Sequence, residues 1–214
     1  MSNNTSAEKI YDKSGCARYE GFVNMFFYPS GIRDSIFRRI AISNEDRILD
    51  AGCGYGLVSR AIRDKIKKEG LTGTEQHAFD ISNDMLQAFR EIGADDINLQ
   101  QLDVRDLPYD EDYFDIIVTS AMLEYVPEIE NALISMRRCL KAGGRIYIFM
   151  SRKSPLNNFL FQPFGKLRCH SFKELEDILL RVGFHEIRRR RFPLRFSWLN
   201  LWGVIVEATK MEQE

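Results

Sequence analysis

The sequence predicts an α/β domain: a mostly parallel sheet of seven strands with helices on both faces and a last strand running antiparallel. Three observations predict it. From residue 47 onward, short apolar runs alternate with amphipathic helical segments at least four times. The first run, "RILDAG", ends in a carboxylate and a glycine-rich turn, the corner where open α/β sheets hold ligands. The last two runs are separated only by "PLRFSWLN", with no helix, so the final strand can pair antiparallel with its neighbour.

Residues 1–30 are polar, then aromatic, and read as a tail with a lid segment; residues 31–214 read as one domain. In "IRDSIFRRIAI", Ile32, Ile36 and Ile40 recur every fourth residue with Phe37 alongside, one apolar helical face. Ser43 and Asn44 break that helix before the first strand. "LVSRAIRDKIKKEG" is a helix with Leu57, Ala61 and Ile62 inward and a stop at Gly70. "QHAFDI" is a strand ending at Asp80, and Ser82 caps the helix "NDMLQAFREIG", with Met85, Leu86 and Phe89 inside. "INLQQLD" alternates as a strand, and "YFDIIVTSAM" is a strand buried on both faces. "EIENALISMRRCLKAGG" is a helix stopped by its glycines, followed by the strand "RIYIFMS". Ser171 caps "FKELEDILLRVG", and "HEIRRRRF" and "LWGVIVEATK" are the last strands. Residues 152–170 and 192–200 interrupt this rhythm and are insertions on the substrate side.

Composition narrows the function. With a net charge of -1, no global field draws the chain to nucleic acid, and no RNA-binding module stands out. Four cysteines (Cys16, Cys53, Cys139, Cys169) show no CxxC pair, which argues against zinc or a disulfide framework and suits the cytoplasm. No apolar run approaches the ~20 residues of a membrane span, and "MSNNTSAEK" does not resemble a signal peptide. The Arg188–Arg191 run, on a predicted strand, is an edge-strand device; an anionic substrate or a membrane surface is its alternative use.

The turn "DAGCGYG" brings Gly52, Gly54 and Gly56 directly after Asp50. Glycines there permit tight geometry and close approach of a ligand. A dinucleotide fingerprint, GxGxxG, needs its third glycine at Leu57, and Asp50 would repel a pyrophosphate. That disfavours a nicotinamide-dependent oxidoreductase. A carboxylate at this place suits a ligand carrying an ammonium group.

The pattern acid-x-Gly-x-Gly-x-Gly resembles the class I S-adenosylmethionine-dependent methyltransferases, in their small-molecule, type 11/25-like branch. The likeness runs from about residue 30 to 209 and implies a Rossmann-like sheet. It places Asp50, Gly52, Cys53, Gly54 and Gly56 against the amino acid half of the cofactor. It gives Asp80 the two ribose hydroxyls, which a carboxylate can accept bidentately, with Ile81 and Met85 flanking the adenine. Asp103 in "LQQLDVRDLPY" would receive the adenine amino group and Val104 would offer its N–H. Ser120 would lie beneath the cofactor. Tyr11 and Tyr19 in "YDKSGCARYE" match the family's N-terminal lid, and Tyr125 stands on the substrate side. No metal is implied.

Methyl transfer is an in-line displacement on an already activated carbon, so alignment and exclusion of water do most of the work. A general base is optional. The family's His-His after the fourth strand is replaced by "LEYV". Glu124 could act as base or hold a cationic amine, or it could be a solvated residue opening the next helix. His170 is a second candidate. The aromatic stretches "YEGFVNMFFYPSG", "SPLNNFLFQPFG" and "FPLRFSWLNLW" either pack on the core or form a pocket for a hydrophobic acceptor. The sequence therefore supports methyl transfer to a small, possibly hydrophobic acceptor; the alternative is a non-catalytic cofactor-binding or adaptor protein that keeps the fold. The intact acids and glycines argue against that alternative.

Overall fold

In the computed structural model, residues 27–155, 157 and 167–211 are described. One sheet organises them. Its strands are β1 (Arg47–Ala51), β2 (Glu75–Asp80), β3 (Asn98–Gln101), β4 (Phe114–Ser120), β5 (Leu140–Ser151), β6 (Phe184–Arg190) and β7 (Gly203–Lys210). They lie in the order β3-β2-β1-β4-β5-β7-β6. β1 pairs in parallel with both β2 and β4, while β7 runs antiparallel to β5 and β6. The chain turns outward in opposite directions from β1, so a crevice opens at the carboxyl ends of β1 and β4.

Among the described residues, five helices cover the sheet: α1 (Tyr28–Arg39), α2 (Leu57–Glu69), α3 (Asn83–Glu91), α4 (Ile129–Cys139) and α5 (Phe172–Val182). Alternation along β4 decides the layers. Ile116 and Val118 join Ile32, Ile36 and Ile62 in one buried cluster under α1 and α2. Ile117 faces the other way, with Leu133, Met136 and Leu179 from α4 and α5. Burying each such side chain contributes about 1.5–3 kcal/mol, so the two layers supply the main driving force.

The helix ends follow their sequence signals. The Ser82 hydroxyl accepts the Met85 N–H, and Ser171 and Glu174 form a reciprocal capping box on α5. Gly70 and Gly183 close α2 and α5 in the left-handed conformation. α1 begins at Tyr28, earlier than its apolar period alone indicates, because Pro29 is pre-set for the first helical turn.

The predicted glycine stop after α4 is corrected. α4 ends at Cys139, and Leu140 is already extended, fully buried and paired with Phe114. Gly143 and Gly144 fall inside β5, where its register with β4 slips. A Cβ on Gly144 would stand 2.8 Å from the Lys141 carbonyl oxygen, so the glycines permit a bulge rather than a helix stop. β6 is an edge strand, as its arginines indicate. Arg190 pairs with Glu207 at 2.8 Å, and Arg189 lies over the Phe172 ring.

Candidate functional site

A cleft of about 780 Å³, open to solvent, lies over the carboxyl ends of β1, β2 and β4. Asp50, Gly52, Cys53, Gly54, Asp80, Ile81, Met85, Ser120 and Tyr125, all singled out from the sequence, line it together. Gly56 stands just behind as the N-terminal flank of α2.

The turn spends its amides inward. Gly52 N–H and Cys53 N–H both donate to the Phe79 carbonyl, at 2.9 and 2.8 Å. Gly54 N–H donates to Asp80 Oδ2 at 2.8 Å, and Gly56 N–H to the Cys53 carbonyl at 2.8 Å. A phosphate-binding loop needs such amides aimed at the ligand. These four are committed, so the turn offers the cleft carboxylates instead of a nest for an anion.

The glycines divide the labour. Gly54, at φ +52, would carry a Cβ with only Met85 Sδ nearby, at 4.0 Å, so its bare face opens on the cleft. A Cβ on Gly56 would meet the Phe89 ring at 2.2 Å, so this glycine lets α3 pack against the turn.

Asp50 is 2% exposed. Its Oδ2 accepts the Ser59 N–H at 2.9 Å and the Ser59 hydroxyl; its Oδ1 is buried without a hydrogen-bond partner among the described residues. Burial pushes the carboxyl up to about 7, against the Ser59 hydrogen bonds that favour the anion. A cationic ligand would return the missing partner. Asp80 is also raised by burial, although Ser82 N–H and Gly54 N–H bond to its two oxygens. Each oxygen keeps a further acceptor site for a hydroxyl.

Other expected residues lie elsewhere. Asp103 is not among the residues lining the cleft. The Arg105 guanidinium holds its carboxylate in a fork, with contacts of 2.6 to 3.1 Å, and lowers its pKa. Val104 is 6% exposed and packs into the core. His170 lines a separate small groove with Arg152, Lys153 and Arg189, and burial lowers its pKa. Glu124 is not a solvated helix opener: it is 1% exposed in the 3₁₀ turn Leu123–Tyr125. Its Oε1 accepts the Ser151 N–H at 2.6 Å, its carbonyl accepts the Arg168 N–H, and burial raises its pKa. Tyr11 and Tyr19 lie outside the described residues, as does most of the 152–170 insertion.

Tyr28, Ala121 and Met122 line the cleft without having been named as site residues, as do Tyr55, Leu57, Val58 and Ser82. Tyr28 bonds to Ser120 through the two hydroxyls at 3.0 Å, with Phe192 packed beside its ring. Ala121, a non-glycine residue at φ +53, follows β4 directly and turns the chain so that Met122 sits against Gly52. Position after a strand end was the available signal for Ala121 and Met122; Tyr28 lies in the aromatic stretch "YEGFVNMFFYPSG", where nothing set it apart from its neighbours.

The family described as a methyltransferase domain matches residues 49–148, which span the glycine turn, Asp80, β4 and the start of β5. Over those residues the chain carries a methyltransferase domain. It is 33% identical over 128 residues to the ubiquinone/menaquinone biosynthesis C-methyltransferase UbiE of Vibrio vulnificus, covering 56% of this chain and 45% of that protein. It is 31% identical over 112 residues to the malonyl-[acyl-carrier protein] O-methyltransferase of Enterobacter lignolyticus, covering 52% and 41%. The chain thus spans less than half the length of these two methyltransferases. In fold it is similar to a chain in the complex of the Haloferax volcanii Trm112 methyltransferase activator, with a TM-score of 0.79 and 19% identity over 98% of this chain and 99% of that one. The matched stretch contains Asp50, Asp80, Ile81 and Met85, four of the residues that line the cleft.

Proposed function

We propose that the protein binds S-adenosylmethionine in this cleft and catalyses transfer of its methyl group to a small apolar acceptor. The observation that carries the reading is the buried Asp50 Oδ1 with no hydrogen-bond partner among the described residues, beside a glycine turn that has already committed four of its amides. A cation completes that site and a phosphate does not. Asp50 would hold the cofactor's ammonium group, Asp80 its ribose hydroxyls, and Ile81 and Met85 its adenine. Asp103 would reach the adenine only by releasing Arg105.

The bound cofactor would supply a methyl group activated on a sulfonium. The chain's own residues would align the acceptor and keep water out. Tyr28, Met122 and Tyr125 line the cleft beyond the glycine turn and would form its acceptor wall. Their apolar bodies suit a hydrophobic molecule, and such an acceptor resides in or beside lipid, so peripheral membrane contact belongs to the same reading.

Thermal shift with S-adenosylmethionine, S-adenosylhomocysteine and NAD tests the cofactor, because a ligand that binds only the native state raises the melting temperature. The two sulfur ligands are expected to shift it and NAD is not. Asp80→Ala is expected to weaken S-adenosylhomocysteine binding by about tenfold or more, since hydrogen bonds to a charged group contribute about 1.5–3 kcal/mol. Unchanged affinity in a folded Asp80→Ala variant would remove Asp80 from the ribose role. A radiolabelled methyl transfer screen over quinones, phenols and amines then identifies the acceptor class.

A further inference from the structure

We propose that the 3₁₀ segment Leu194–Leu201, with Phe27 beside it, docks onto an anionic phospholipid membrane. Exposed large apolar side chains gather there: Leu194 is 92% exposed, Leu201 65%, Phe27 60% and Trp198 42%. The Phe27 and Trp198 rings meet edge to face at 6.5 Å, and Leu194 and Leu201 flank Trp198 at the two ends of the same segment.

The segment is built to present them. Two 3₁₀ turns meet at a kink at Phe196 (φ -128); Pro193, Phe196 and Leu199 are buried, and the residues between them are exposed. Leu199 presses against Gly31 of α1 so closely that a Cβ there would stand 2.2 Å from it. Asn200 Oδ1 accepts the Phe192 N–H at 2.9 Å, and Arg152 donates to the Asn200 carbonyl at 2.8 Å. The inward anchors hold the outward face in place.

Charge selects the occupant. The groove beside the patch is lined by four cations (Arg33, Arg38, Lys68, Arg195) and two carboxylates (Asp34, Glu69); Arg33 pairs with Asp64 at 3.1 Å and Arg38 with Asp34 at 3.0 Å, so Lys68 and Arg195 carry its positive excess, in a chain whose net charge is -1. Arg191, also exposed, adds a further guanidinium at the near end. A second copy docked on this face would bring cations against cations. An anionic bilayer meets both features: headgroups neutralise the arginines, and Trp and Leu enter the interface. No helix among the described residues is long and apolar enough to cross a membrane, so the contact lies on the surface.

The placement gives the patch a use. Tyr28, next to Phe27, lines the cleft, and its ring packs on Phe192, two residues before Leu194. A lipid-resident acceptor would therefore leave the bilayer at the edge of the acceptor wall. This deepens the reading of an apolar acceptor, and its test is separable from that reading.

Co-sedimentation of the full chain with vesicles of phosphatidylcholine alone, or mixed with phosphatidylglycerol, tests it. The chain is expected to sediment with the mixed vesicles only, and less so as salt rises. Leu194→Glu with Leu201→Glu is expected to abolish sedimentation, and Arg195→Glu to weaken it about tenfold. Loss of binding counts only where circular dichroism melting matches the wild type. The wild type staying in the supernatant with both vesicles, or the Leu194→Glu/Leu201→Glu variant sedimenting like it, overturns the proposal. So does a dimer that this variant turns into a monomer, which assigns the face to a second copy. Thermal shift with S-adenosylhomocysteine separates the two readings: vesicle binding without a shift sinks the cofactor reading alone, and a shift without vesicle binding sinks the membrane proposal alone.

Discussion

The two sides of the cleft are held together over different distances along the chain. On the glycine-turn side, Ser59 reaches Asp50 across nine residues and Gly54 reaches Asp80 across 26. On the far side, Tyr28 meets Ser120 across 92 residues and its ring packs beside Phe192. The near side is a short-range device of backbone amides, acids and glycines. The far side is assembled from segments that meet only when the domain closes. A domain built this way can change what it accepts at the far wall without disturbing what it holds at the near one.

The largest expected effect separates packing from binding within the near side. Gly56→Val places a branched side chain where the Phe89 ring already stands, at φ +83. Strain and overpacking together are expected to cost about 3 kcal/mol of stability. Gly54→Ala meets no atom within contact distance except Met85 Sδ, and its φ of +52 costs an alanine about 1 kcal/mol. It adds a methyl group to the floor of the cleft, so its loss falls on S-adenosylhomocysteine affinity. Urea unfolding beside ligand titration distinguishes them. Equal stability losses for the two variants would break the division of labour.

The near side was legible in the sequence because its determinants are local. A turn of alternating glycines after a strand, an acid three residues before the start of α3, and serines before amphipathic runs each fix backbone geometry within a few residues. "DAGCGYG", Asp80 with Ser82, and the Ser171 cap therefore took their expected places. Features decided by distant partners did not. Gly143 and Gly144 look like a helix stop until Leu140 is seen paired with Phe114. Glu124 looks solvated until Ser151 and Arg168 close on it from later in the chain. Tyr28 is one aromatic among several in its stretch, and its place depends on the contact with Ser120 at the end of β4. Asp103 is the local exception: Arg105, two residues on, folds back over its carboxylate, because spacing does not fix which partner a long side chain takes.

The next effect sharpens the near side by pH. The Asp50 carboxyl titrates near 7 in the fold, against an ordinary value of 3.8, because burial opposes its charge. A raised carboxyl contributes stability that is fully present below about pH 4 and is lost as pH climbs through about 7. The ligand-free protein is therefore expected to lose stability over that window, and Asp50→Asn to flatten the loss. Asp80 and Glu124, raised in the same direction, leave part of the slope in place. Binding of a cationic ligand runs the other way, since it needs Asp50 ionised. Affinity for S-adenosylhomocysteine is expected to rise about tenfold between about pH 6 and pH 8 in the wild type and to stay nearly level in Asp50→Asn. A level wild-type profile from calorimetric titration would detach Asp50 from the ammonium group.

The smallest expected effect belongs to the far side and decides what Glu124 is for. Its carboxyl is sealed away from the cleft lining and holds the end of β5 through Ser151 N–H at 2.6 Å. Glutamine keeps an acceptor oxygen for that amide and replaces the unpartnered Oε2 with an amide group. Glu124→Gln is expected to change stability by less than about 1 kcal/mol, whereas Glu124→Ala, which leaves the Ser151 amide without its acceptor, is expected to cost about 1–3 kcal/mol. If the carboxyl is a tether, methyl transfer by Glu124→Gln keeps both its kcat and its pH profile. A base would show the opposite signature. kcat would fall about a hundredfold or more, the cofactor KM would stay constant, and the acidic limb of the profile would vanish. The burial of Glu124 and its contact with β5 favour the tether, because a group that reaches the reacting atoms must first reach the cleft.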